Sequence, residues 1–164
     1  MTAGTFSVPL PENADELRVQ EEAYADLADA IRPLIDACVR TRVAPEKAHE
    51  VASRARELTA ELMSTAQDGP LGLEVTSDGR IRDHGNPAVG MRNPIALPLV
   101  FERAEDRRSL RADLELGAAY EGPPGHAHGG VIALLLDQAL GTLPAMVGLP
   151  ALTAYLNLTD KAPA

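Results

Sequence analysis

Tryptophan is absent from the 164 residues, and aromatics together make up only 3% of them. A chain so poor in flat rings gives bases little to stack on, which argues against a single-stranded nucleic-acid platform. Cysteine occurs once, as Cys38. One thiol cannot build a disulfide framework, so a reducing, cytoplasmic compartment is expected. Positive charge is also scarce: 15 Lys and Arg against 24 Asp and Glu leave a net charge of −9. That balance disfavours a phosphate backbone or an anionic surface, so neither nucleic acid nor membrane is an expected partner. The opening "MTAGTFSVPLPENADELR" lacks the basic start and apolar stretch of a signal peptide. Neither the serine-hydrolase G-x-S-x-G nor the phosphate-binding G-x-x-x-x-G-K-[ST] occurs.

Long apolar runs are rare too. The exception is Val131 to Leu152, and it carries Asp137, Gln138 and Pro144. A central Asp costs about 2.5–3.5 kcal/mol on membrane-insertion scales, so a buried helix of a soluble domain is expected. The length suits one domain with an appendage, divided here as a helical region 1–67 and a second region 68–164.

In the first region Leu17, Tyr24, Leu27, Ile31, Leu34, Ile35 and Cys38 recur at helical steps, with Pro33 expected to kink or divide the helix. A second helix opens near Pro45 and carries the stripe Ala48, Val51, Ala55, Leu58 and Leu62. Together they predict a helical hairpin that packs on the C-terminal region or on a partner. From Asp68 the chain is dense in Gly, Pro and Asn and reads mostly as loop, with a short strand at Leu71–Val75. Leu97–Arg103 and Ser109–Leu116 read as strands joined by the charged turn "AEDRR". A helix is predicted from Gly129 to about Met146, ended by Pro144 and Gly148–Pro150, and a last strand at Leu152–Thr159. Strand, strand, helix, strand without a βαβ repeat is an α+β pattern.

Chemistry concentrates where "EGPPGHAHGG" enters that helix. Gly129 and Gly130 allow close backbone approach, and the first N–H groups of a helix lack intrahelical partners. Those groups and the helix dipole suit developing negative charge, as in an oxyanion hole. Asp137 is an unusual residue for so apolar a helix. At 1.5 Å per residue it lies about 12 Å along the axis from Gly129, too far to serve the same carbonyl. Two copies packed antiparallel, with axes about 8–10 Å apart, would set Asp137 of one against Gly129 of the other. The bland reading, an Asp paired with a buried polar group or exposed at a helix edge, stands beside it. His126 and His128 form H-x-H near Glu121, but no Cys pair or H-E-x-x-H accompanies them, so no metal is expected. His49 and His84 are expected to be solvated.

"GPPGHAHGGVIALLLDQALG", followed by "LTAYLNL", resembles the hotdog-fold acyl-CoA thioesterases of the phenylacetate-pathway type. The upstream "VGMRNPIALPLVFE" and "LGAAYEGPPG" are similar to actinobacterial members, so the resemblance covers roughly Gly90 to Pro163. It implies a hotdog domain, an antiparallel sheet around a central helix, that hydrolyses acyl-CoA thioesters as a homodimer or higher oligomer. No cofactor is implied beyond the coenzyme A of the substrate. It assigns Gly129 as the carbonyl-polarising N–H and Asp137, from the opposing subunit, as general base or nucleophile. Thr153 would position the water and His128 orient the loop, with Gly130, Gly125, His126 and Asn157 near the substrate. Relatives continue past the "TAYLNL" strand with further strands, whereas this chain reads "LNLTDKAPA" and stops. A partial hotdog domain is therefore expected, with a loosely packed C-terminal part unless another chain supplies strands. The alternative is a non-catalytic acyl-CoA-binding or interaction module; a hydratase-type hotdog is less favoured, its Asp/His dyad being absent.

Overall fold

The computed structural model describes residues 8–9, 13–76, 80–105, 109–146, 148–149 and 151–159. The tip of the expected charged turn at 106–108, Pro150, and the last residues 160–164 lie outside them.

Helix α1 spans Ala14–Arg40. It starts on Asn13, whose side-chain oxygen accepts the Asp15 N–H at 3.1 Å. Acids in its first turn and Arg40 in its last complement the helix dipole. Of the two outcomes expected at Pro33, a kink or a division, the division does not occur. Contacts on both sides of the proline anchor the two halves. Arg32 donates to the Ala96 carbonyl at 2.8 Å, and Asp36 accepts the Ala118 N–H at 2.9 Å. The missing N–H of Pro33 is thus outweighed by tertiary anchoring. Helix α2, Pro45–Met63, has proline in its first turn as predicted. It buries no residue, and its stripe residues Leu58 and Leu62 stand about half exposed at 52% and 51%.

Strand β2, Leu73–Val75, lies where the sequence placed one. It pairs in parallel with β1, Val8–Pro9, and antiparallel with β3, Ile81–Asp83. The stretch from 81 to 97, expected to be mostly loop, is the best-buried part of the described chain. Arg82, His84, Ala88, Gly90, Ala96 and Leu97 are all buried there. The sequence hid this because polar pairing carries much of the burial. Glu74 sits opposite Arg82 across the ladder, and its Oε2 accepts from Arg82 Nη1 at 2.9 Å and from His84 Nε2 at 2.6 Å. Glu21 of α1 closes the cluster, 3.0 Å from Arg82 Nε and 2.8 Å from Arg80 Nη1. The Arg82 Nε–H is not aimed at the Glu21 oxygen, so that contact is Coulombic rather than a hydrogen bond. His84, expected to be solvated, is therefore buried as a structural residue, whereas His49 is exposed.

Two expected strands shrink to the pair β4, Glu102–Arg103, and β5, Leu110–Arg111, closed by Ala104 N–H to Ser109 carbonyl at 3.0 Å. Leu152–Thr159 is not a strand: these residues form no ladder with any described residue. Alternating pattern alone cannot make a strand, because its backbone groups need a neighbouring strand. After a single 3-10 turn at Ala118–Tyr120, helix α3 spans Gly129–Met146, as predicted. It ends with Leu149 N–H on the Pro144 carbonyl and Gly148 N–H on the Ala145 carbonyl, a Schellman closure. By length and composition α3 could cross a membrane, and none of its residues is buried by the rest of the chain.

Candidate active site

The entrance to α3 is organised by His128, which acts as its N-cap. Its Nδ1 accepts the Gly130 N–H at 3.0 Å, and its carbonyl accepts from Val131 and Ile132 at 2.8 and 3.2 Å. An accepting Nδ1 places the ring proton on Nε2 in the neutral form. Among the described residues, the Gly129 N–H is then the one amide of this first turn with no protein acceptor. A side chain at 129 would meet nothing within 4 Å, so the space beside this helix entrance is open. The positive end of the α3 dipole lies at the same point.

The loop before it is a built turn. Gly122 N–H bonds the His126 carbonyl at 2.9 Å, and Glu121 Oε1 accepts the Gly125 N–H at 2.7 Å. Gly125 has φ +76°, a conformation glycine adopts without the steric cost of a Cβ. His126 Nδ1 lies 2.9 Å from the Pro124 carbonyl, to which only its N–H form can bond. Gly125 and His126 line a groove beside Tyr120 and Glu121, separate from the cleft that holds the acid. Tyr120 donates its hydroxyl to the Ile95 carbonyl at 2.7 Å, and burial pushes its phenol up against the opposing Arg32 charge.

Gly130, Asp137 and Thr153 line one open cleft of about 380 Å³, with Ala133, Leu134 and residues 154–156 completing its walls. Gly130 and Asp137 are seven residues apart on α3, two turns on the same face. Asp137 Oδ1 is shielded from solvent and has no hydrogen-bond donor. The Asp paired with a buried polar group, one form of the bland reading, is not what that oxygen shows. Asn157 is exposed and lies outside the cleft lining. Among the described residues no three His, Cys, Asp or Glu side chains converge as metal ligands.

The sequence reading missed one polar contact at this site. Asn86 Nδ2 donates to Gln138 Oε1 at 3.0 Å, joining the buried 81–97 stretch to the residue beside Asp137. No local signal could have revealed a contact between residues 52 apart.

No family model matches the chain. Among solved structures it resembles the crystal structure of a thioesterase superfamily protein, with a TM-score of 0.73 and 32% identity. The match covers 94% of this chain and 76% of that one. The α+β architecture, N-terminal helices followed by small sheets and the apolar helix α3, is accordingly hotdog-like. Likeness in sequence and in fold, over nearly the whole chain, makes this protein a member of the thioesterase superfamily.

Proposed function

We propose that this protein hydrolyses acyl-CoA thioesters, as the phenylacetate-pathway relatives do, at sites shared between two subunits. The observation that carries the reading is Asp137, which lines the cleft and has one carboxylate oxygen shielded from solvent without a donor. An unsatisfied buried acceptor costs about 1–3 kcal/mol or more, a burden that makes sense where the missing partner is a ligand. Water is the partner the chemistry requires. Asp137 accepts a proton from water as the water oxygen bonds to the thioester carbonyl carbon. The resulting oxyanion lies against the Gly129 N–H of the opposing subunit, where the helix dipole favours it. The carbonyl then re-forms, the C–S bond breaks, and the thiolate of coenzyme A leaves. Thr153, on the wall of the same cleft, holds the water, and His128 keeps the helix entrance in place. A carboxylate acting first as nucleophile through a mixed anhydride uses the same groups.

Thiol release from a panel of acyl-CoAs tests this. Asp137→Asn should lower kcat at least about 100-fold, as loss of a general base does, with a smaller change in KM. Full thiol release by that variant would remove Asp137 from the mechanism. Wild-type protein that binds coenzyme A but releases no thiol would instead identify a binding module.

A further inference from the structure

α3 is apolar nearly all round: Asp137, Gln138 and Thr142 are its polar side chains. Val131, Ile132 and Leu135 are half-buried on one side, and Leu134, Leu136 and Leu140 are exposed on others. Such a helix has little hydrophobic preference for one rotation about its axis, yet the position of Asp137 depends on that rotation. Among the described residues Gln138 is the one side chain of α3 that hydrogen-bonds outside the helix, through Asn86.

Both ends of this contact are fixed in orientation. Asn86 Oδ1 accepts the N–H groups of Ala88 and Val89 at 2.8 and 3.2 Å, which leaves Nδ2 to donate outward. Its backbone is held as firmly: its N–H donates to Asp83 Oδ1 at 3.2 Å, and its carbonyl accepts from Gly90 at 2.8 Å. On the helix side Thr142 donates its hydroxyl to the Gln138 carbonyl at 2.7 Å, so toward the Gln138 amide it can only accept. Gln138 Nε2 meets it at 3.2 Å, turning Oε1 toward Asn86. Both amide donors point the same way, from Asn86 through Gln138 to Thr142, whose hydroxyl returns to the Gln138 carbonyl, and neither amide can flip without losing a partner.

We infer that Asn86, Gln138 and Thr142 are positioning residues that set the rotation of α3 and thereby aim Asp137 into the catalytic cleft. Adjacent helical residues differ by about 100° around the axis, so holding Gln138 against Asn86 directs Asp137 to the cleft wall shared with Gly130 and Thr153. The inference rests on the thioesterase reading for its kinetic consequences and on geometry alone for the orientation.

The test has two arms. In the kinetic arm, Gln138→Leu should lower kcat about tenfold or more with KM within about twofold, as expected when geometry rather than binding is lost. Thr142→Val should show a smaller loss of the same kind, and Thr142→Ser should restore wild-type kcat. If Gln138→Leu does not fold, the Thr142 pair carries this arm. Unchanged kcat in folded Gln138→Leu, or equal loss in Thr142→Ser and Thr142→Val, would overturn the inference. The second arm needs no activity, so it survives failure of the thioesterase reading. With Cys38→Ser and Asp137→Cys combined, the alkylation rate by iodoacetamide reports the setting of position 137. Adding Gln138→Leu should change that rate several-fold; an unaltered rate would sink the proposal.

Discussion

The stretch 81–97 and the helix α3 with its following segment invert what their compositions suggest. The first is broken by Gly, Pro and Asn and carries Arg82, His84 and Arg92, yet it holds most of the described core. The second is the most hydrophobic part of the chain, yet it buries no residue of α3 and leaves Leu152 94% exposed. The difference teaches that burial follows the availability of a partner rather than hydrophobicity. Arg82 and His84 bury because Glu74 accepts from both and Glu21 faces the Arg82 charge within this chain. Leu136 and Leu140 stay open because no described element covers their side of α3.

The strongest way to break the comparison is at Gly90. A Cβ there would lie 2.5 to 2.8 Å from the Asn86 carbonyl and nitrogen and the His84 carbonyl, all backbone atoms that cannot swing away. Gly90→Val should therefore destabilise by about 3 kcal/mol or prevent folding, measured by urea unfolding. A cost below about 1 kcal/mol would mean that this stretch is looser than its contacts indicate.

The opposite region should respond weakly. Leu140 is 59% exposed, so Leu140→Ala should cost less than about 1 kcal/mol in dilute protein, against about 2–5 for a buried leucine. If a second subunit covers α3, the cost should grow with protein concentration, because association stabilises the folded chain. Concentration-independent loss near the buried value would place α3 inside a core supplied by the single chain.

The smallest expected effect concerns the seam between α1 and the site loop. The Ala118 N–H, then the Arg40 side chain, hold the Asp36 carboxyl below the usual carboxylate range, against a smaller opposing effect of burial. A folded value below the unfolded one adds stability that is complete above the unfolded value and is lost as pH falls through the folded one. Protection of the Ala118 amide, corrected for intrinsic exchange, should thus fall on acidification below about pH 4. In Asp36→Asn this pH dependence should disappear. An unchanged acid profile in that variant would assign the seam to other contacts.

Helices were readable because their information is local. Pro45, the His-Gly-Gly entrance and the Gly148 end each act within a few residues of the helix they bound. The same locality made Gly129 and Asp137 visible as residues out of keeping with their surroundings. Strands fared worse: Leu152–Thr159 has the right pattern, but a ladder depends on what lies beside it.

By itself, then, the sequence determined where α2 and α3 begin and which polar groups stand at the mouth and the middle of α3. Tertiary structure alone decided that α1 runs through Pro33, that His84 is buried on Glu74, and that Asn86 reaches Gln138. The physical reason is one of distance along the chain. Caps and helical periodicity are satisfied between near neighbours, whereas an ion pair, a close backbone approach or a fixed helix rotation needs a partner that only folding brings within reach.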